Sequence, residues 1–225
     1  MTSHSQFKNR HDAGKKLAKA LKRFAGDSPL ILALPRGGVP VAYEVAVELV
    51  AEMDLLLVRK IGAPGHEELG IGAIVDGVHP QVVLNEGIVR QLGPSPAYIQ
   101  SETRKQLAII AQRRRLYRGS TPPVDMRGRT VIVVDDGIAT GGTARAALRG
   151  IKQNHPARTI LAVPVAPADC VEQLERECDE VICLVSPSPF YAVGAYYADF
   201  TQTGDEEVIH LVHEIERLER PSPLQ

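Results

Sequence analysis

Val131-Ile132-Val133-Val134-Asp135-Asp136-Gly137-Ile138-Ala139-Thr140-Gly141-Gly142-Thr143-Ala144 is the stretch that decides the fold. Four β-branched apolar residues in a row describe a strand buried on both faces, and the two acids stand where that strand must stop. Gly137, Gly141 and Gly142 permit a tight turn with uncovered backbone N–H groups, Thr140 and Thr143 add hydroxyls, and a helix is expected from about Ala144. The start of a helix offers unpaired N–H groups and partial positive charge, so this order of residues predicts a phosphate cradle. Two adjacent carboxylates just ahead of it could accept hydrogen bonds from the hydroxyls of a ribose whose 5′-phosphate lies in the loop. A charged turn after a buried strand is the plainer alternative. A Walker A loop is excluded because no Lys precedes Thr143, and a dinucleotide fingerprint fails on its glycine spacing.

Working outward, 225 residues with 44% hydrophobic content suit one sizeable α/β domain. The formal net charge of −1 supplies no global attraction to nucleic acid or membrane, so an anion must be held by local geometry. Cys170, Cys178 and Cys183 are odd in number and lack metal-type spacing, which predicts buried free thiols in a reducing cytosol. No apolar run reaches membrane-spanning length and the N-terminus is polar and basic, so a cytoplasmic location is expected.

Residues 30–34 repeat the opening pattern, a buried strand that Pro35-Arg36-Gly37-Gly38-Val39-Pro40 turns into a helix over 41–51. This is a second candidate anion site, with Arg36 adding a guanidinium fork suited to phosphate oxygens, although a tight turn alone would explain the glycines. A strand over 54–58 ends in Arg59 and Lys60, which would bring positive charge to the same edge. Residues 61–72 are rich in Gly and read as a mobile loop in which His66, Glu67 and Glu68 are exposed. Residues 73–76 and 81–84 read as a hairpin flanking the sheet. The helical pattern over 96–117 is strongly basic, and without interleaved aromatics it reads as a solvated or subunit-contacting face, which counts against nucleic acid.

Beyond the opening stretch, a helix over 144–154, a strand over 159–163, a helix over 167–177 and a strand over 180–184 follow. The alternation predicts an open, parallel five-stranded sheet with helices on both faces and its ligand at the carboxyl edge of the strands. Residues 1–26 read as an amphipathic lead-in helix whose basic face is solvated or lines part of a site. Residues 186–200 hold five of the ten aromatic residues, for core packing or for stacking on a planar base. The last helical pattern, 206–218, carries His210 and His213 as surface or packing residues.

Together these segments resemble the type I phosphoribosyltransferases. The likeness extends to bacterial phosphoribosyltransferases of unassigned acceptor through Leu34-Pro35-Arg36-Gly37-Gly38, Val58-Arg59-Lys60-Ile61-Gly62-Ala63-Pro64-Gly65 and Val193-Gly194-Ala195-Tyr196-Tyr197. The resemblance implies one phosphoribosyltransferase domain over 1–225, with a small hood from about 1–26 and 186–205 and a flexible loop or hairpin that closes over the site. It implies Mg²⁺-dependent transfer of 5-phosphoribosyl from phosphoribosyl diphosphate (PRPP) to a nitrogenous base, with release of pyrophosphate, in nucleotide salvage or related metabolism, by a homodimer. Asp135, Asp136, Lys60 and Arg36 would be catalytic, and the two acids would hold the ribose and meet Mg²⁺ directly or through water. Gly137, Ile138, Ala139, Thr140, Gly141, Gly142 and Thr143 would hold the 5′-phosphate. Pro35, Arg36, Gly37, Gly38, Arg59 and Lys60 would hold pyrophosphate, with a cis bond between Pro35 and Arg36. Tyr191, Ala192 and Asp199 would meet the base, Asp199 at a spacing one residue too long. Ala139 occupies the place where purine salvage enzymes often carry a proton-handling Asp, and Val163-Pro164-Val165-Ala166 lacks their purine-reading Lys, so the acceptor stays open. The rivals are a PRPP-binding regulator that performs no transfer and a sugar-phosphate hydrolase using the same cradle.

Overall fold

The computed structural model describes residues 6–219, the side chains of 67, 68 and 219 excepted. Five short strands form one parallel sheet: β1 (Leu30–Ala33), β2 (Glu52–Leu55), β6 (Thr130–Val134), β7 (Arg158–Val165) and β8 (Glu180–Val185), in the order β2-β1-β6-β7-β8. Because successive side chains of a strand point to opposite faces, Ile132 and Val134 enter one apolar layer while Val131 and Val133 enter the other. The first layer is filled from α1 (Arg10–Leu21), α2 (Gly38–Leu49), α4 (Pro96–Arg118) and α7 (Asp205–Glu219), and the second chiefly from α5 (Gly142–Lys152) and α6 (Ala168–Leu174). Both faces of the sheet are therefore covered, as the continuous Val/Ile/Leu runs require.

A second, antiparallel sheet is built from β3 (Val58–Ala63), β4 (His66–Val75) and β5 (Gln81–Leu84), followed by α3 (Glu86–Leu92). This corrects two expectations. The strand placed at 54–58 ends at Leu55, and Arg59 and Lys60 lie inside β3 rather than at the edge of the parallel sheet. The segment expected to be a mobile loop, 61–72, is most of a β-hairpin with bulges at Ile61–Ala63 and a turn at Pro64-Gly65. Gly72 serves close strand approach rather than looseness, since a Cβ there would stand 2.6 Å from the Val83 carbonyl oxygen of β5.

The basic helix α4 is likewise not simply solvated. Arg114 pairs with Asp54 at 3.3 Å and Asp76 at 2.6 Å, and Arg118, itself buried, reaches Asp54 at 3.1 Å. Asp54 also accepts the Val124 N–H, so this buried charge cluster ties α4 to the end of β2, the end of β4 and the chain that enters β6. Burial, partly offset by Arg114, pushes the Asp76 carboxyl above its usual range, and the pairing is what offsets the cost of burying these charged groups.

Candidate active site

The strand order reverses between β1 and β6. From β1 the chain moves outward to β2, and from β6 it moves the opposite way to β7 and β8. In an open parallel sheet the crevice outside the carboxyl ends at such a switch point is where ligands bind. Here both loops at that point lead into helices with uncapped starts. α2 begins at Gly38 and α5 at Gly142, each with glycine before it and neither with a side-chain cap. The first-turn N–H groups of α5 are open to an anion, whereas those of α2 are taken: Gly38 donates to the Leu34 carbonyl, Val39 donates to the Arg36 carbonyl and Pro40 has no N–H, so on the neighbouring strand the loop offers the Arg36 guanidinium instead.

The loops touch. The Leu34 N–H donates to the Val134 carbonyl, and the Pro35–Arg36 bond is cis, as the resemblance implied. A Cβ on Gly37 would stand 2.6 Å from the Asp136 carboxyl carbon, and one on Gly38 would stand 2.7 Å from the Val134 oxygen. Any larger residue would separate the segment expected to hold pyrophosphate from the acids expected to hold ribose. Asp135 Oδ1 accepts the Asp136 N–H at 2.9 Å, and burial, followed by the neighbouring Asp136 charge, pushes the Asp135 carboxyl well above the usual carboxylate range.

Asp136 is held from the hood. Arg10 Nε donates to Asp136 Oδ2 at 2.7 Å, and the Tyr197 hydroxyl donates to the Asp136 carbonyl at 2.5 Å. Burial pushes the Tyr197 hydroxyl far above its usual range, so it stays a donor. The N-terminal segment and the hood run as one piece, with Phe7 and Tyr197 bridged as parallel backbone and the Asp199 N–H donating to the Lys8 carbonyl. Val193 packs over Gly137, where a Cβ would meet it at 2.5 Å.

The other expected residues fall in different places. Arg36 is half-buried at the cleft, 3.5 Å from Asp205 at the start of α7, which also accepts the Tyr117 hydroxyl at 2.7 Å. Burial and that bond push the Tyr117 hydroxyl up to about 12. Arg59 is turned to α4, where its Nε donates to Gln106 at 2.9 Å, so it does not join the pyrophosphate loop. Lys60 lines a groove of about 340 Å³ between the antiparallel sheet and α5, together with Thr140, Thr143, Arg145 and Arg149. Gly141, Ile138 and Ala139 shape the loop, the Ile138 N–H donating to the Val165 carbonyl.

A second cavity, about 590 Å³, opens on the other side of the loop and is lined by Ala139, Pro167, Ala168, Asp169, Glu172, Pro187, Ser188 and Phe190. Its aromatic wall is Phe190, stacked on Tyr196 with centroids 5.7 Å apart. Tyr191 is 82% exposed and Ala192 is exposed, and neither lines the cavity. Asp199 is also exposed and its carboxylate accepts the Thr201 N–H and hydroxyl, which keeps it in a local turn. Phe190, Arg10 and Tyr197 are the site residues that sequence reasoning missed. The aromatic concentration over 186–200 was a signal for Phe190 and Tyr197, and nothing local singled out Arg10.

Residues 3–201 match the phosphoribosyl transferase domain family. The chain belongs to that family. Two provisionally named phosphoribosyl transferases of Mycobacterium tuberculosis, MT0597 and Rv0571c, are each 44% identical to it over 204 residues, which is 90% of this chain and 45% of theirs. The chain thus spans about half the length of the curated relatives it matches. Among solved structures, TT1426 from Thermus thermophilus is 42% identical, with a TM-score of 0.82 over 93% of this chain and 98% of that one. As a phosphoribosyl transferase domain the chain places its acids and both glycine loops at one switch point. Among the described residues no helix is long and apolar enough to cross a membrane.

Proposed function

We propose that this phosphoribosyl transferase binds PRPP across the β1/β6 switch point and transfers its phosphoribosyl group to a nitrogenous base. The adjacency of the open start of α5 and the Arg36-bearing loop, with Asp136 against Gly37 between them, carries the reading: two anion-holding segments separated by an acid suit a sugar with phosphate at both ends. Residues 137–143 receive the 5′-phosphate, Asp136 accepts from the ribose hydroxyls, and the Pro35–Gly38 segment with Arg36 receives pyrophosphate as it leaves. Lys60 adds positive charge from the groove side of the loop. The donor set suits Mg²⁺ held mainly by the ligand's own oxygens, since Asp136 Oδ2 already accepts from Arg10 and Asp135 Oδ1 already accepts the Asp136 N–H. Asp136 is the residue that would meet the ion, most simply through water, and the ion would neutralise charge on the departing diphosphate.

The acceptor belongs in the cavity beside Ala139, with Phe190 as its stacking surface and two carboxylates, Asp169 and Glu172, on its wall. That charge favours neutral or amino-bearing rings over carboxylated ones. Ala139 presents only a methyl group, which favours one second reading, a protein that binds PRPP without transfer. A pyrophosphate-release screen with PRPP, Mg²⁺ and a panel of purines, pyrimidines and pyridine carboxylates separates them. Release with a neutral base is expected; PRPP binding with no release for any acceptor would support the second reading.

A further inference from the structure

Arg10 is the first residue of α1, set by Asn9 as N-cap, and its side chain leaves the helix to enter the cleft. Its side chain is 11% exposed and that of Asp136 is 15%, so the pair is largely withdrawn from water. The guanidinium has three fixed partners: Nε donates to Asp136 Oδ2 at 2.7 Å, Nη1 donates to the Thr201 carbonyl at 2.6 Å, and its carbon lies 4.0 Å from the centre of the Phe200 ring. Phe200 in turn packs on Tyr197 at 5.0 Å, and Tyr197 holds the Asp136 carbonyl. A planar fork pinned on two sides and stacked on a third can adopt few orientations, unlike a surface cation. Other salt bridges of α1, from Lys15 and Lys16, are exposed at the cation and reach acids outside the cleft. Arg10 alone among the described α1 cations meets an acid of the β6–α5 loop.

We infer that Arg10 is a positioning residue for the ribose. It fixes the Asp136 carboxylate in the orientation that accepts the ribose hydroxyls, and it links that carboxylate to the hood through Phe200 and Thr201. The inference rests on the PRPP reading above. It goes further by making ribose recognition depend on the N-terminal helix, which touches neither phosphate loop by a backbone hydrogen bond. A role confined to stability would weaken all ligands alike, or none. A positioning role must act on ligands that carry the ribose and spare those that do not.

The test uses the full chain with Mg²⁺ and three probes, PRPP, ribose 5-phosphate and pyrophosphate, measured by calorimetry on wild type, Arg10→Ala, Arg10→Lys and Tyr197→Phe. Arg10→Ala is expected to weaken PRPP and ribose 5-phosphate by about tenfold, the scale of one charge-assisted hydrogen bond, while pyrophosphate changes less than about twofold. Arg10→Lys should recover part of the loss for the two ribose ligands. Tyr197→Phe, which removes the bond to the Asp136 carbonyl but leaves its carboxylate paired, should cost less than Arg10→Ala. An equal loss for all three probes, or no loss for PRPP, would overturn the positioning role while leaving the PRPP reading intact. Failure of wild type to bind PRPP would overturn both.

Discussion

The two glycine loops and the hood hold their part of the cleft by opposite means. The loops at 35–38 and 137–143 are made by backbone: uncapped helix starts, a cis bond, and glycines against which neighbouring atoms rest directly. The hood is made by side chains, with Arg10 and Tyr197 gripping Asp136 and Phe190 stacked on Tyr196 beside the cavity at Ala139. A backbone site tolerates almost no added volume but little depends on which polar side chains surround it. A side-chain site depends on single residues and can be altered one contact at a time. On the proposed reading, phosphate falls to the first region, the acceptor to the second, and ribose to Asp136, where the two meet.

Substitutions can break that comparison, beginning with the largest effect. Asp135→Asn combined with Asp136→Asn removes both acids at the joint between the loops, and PRPP binding should be lost in calorimetry; unchanged affinity would remove the acids from the site. Gly37→Ala sets a methyl 2.6 Å from the Asp136 carboxyl carbon and should weaken PRPP by more than about tenfold, whereas Gly26→Ala, outside the cleft and with nothing within 4 Å, should stay near wild type. Similar values for the two would mean that the loops do not bear on each other.

Effects in the hood should be smaller and should divide between ligands. Phe190→Ala is expected to raise the acceptor KM by about tenfold, as for loss of one stacking face, with PRPP affinity unchanged; Tyr191→Ala should leave both within about twofold. A larger effect from Tyr191 would return the stacking role to it. Smallest is a thiol effect away from the cleft. Burial pushes the Cys178 thiol up to about 11 from 9.0, so the folded state keeps a proton that the unfolded chain gives up at lower pH. Its contribution should therefore be constant below the ordinary thiol value and fall as pH rises towards about 11. In chemical denaturation, Cys178→Ser should show a flatter alkaline limb than wild type.

The sequence was informative where backbone chemistry writes itself into residue type. Val131–Val134 could only be a doubly buried strand, Gly-rich turns marked both anion loops, and the five parallel strands followed from alternation. It misled where one residue type serves two purposes. Gly62, Gly70 and Gly72 look like looseness but let hairpin strands bulge and pack closely. Arg10, Arg114 and Arg118 look like solvated helix cations, because the acids that draw them inward lie far away in sequence, from 38 residues for Arg114 and Asp76 to 126 for Arg10 and Asp136. No local periodicity can report such a partner. Phe190 rather than Tyr191 lines the cavity beside Ala139, and two adjacent aromatics carry no local mark of which one turns inward.

The central claim is that both loops act on one ligand. Calorimetry of wild type with PRPP, ribose 5-phosphate and pyrophosphate, each with Mg²⁺, tests it most directly. The account predicts one PRPP per chain, bound at least about a hundredfold more tightly than either fragment, because the two anion sites are joined through one sugar. PRPP bound no better than its stronger fragment would show two separate anion sites and contradict the account.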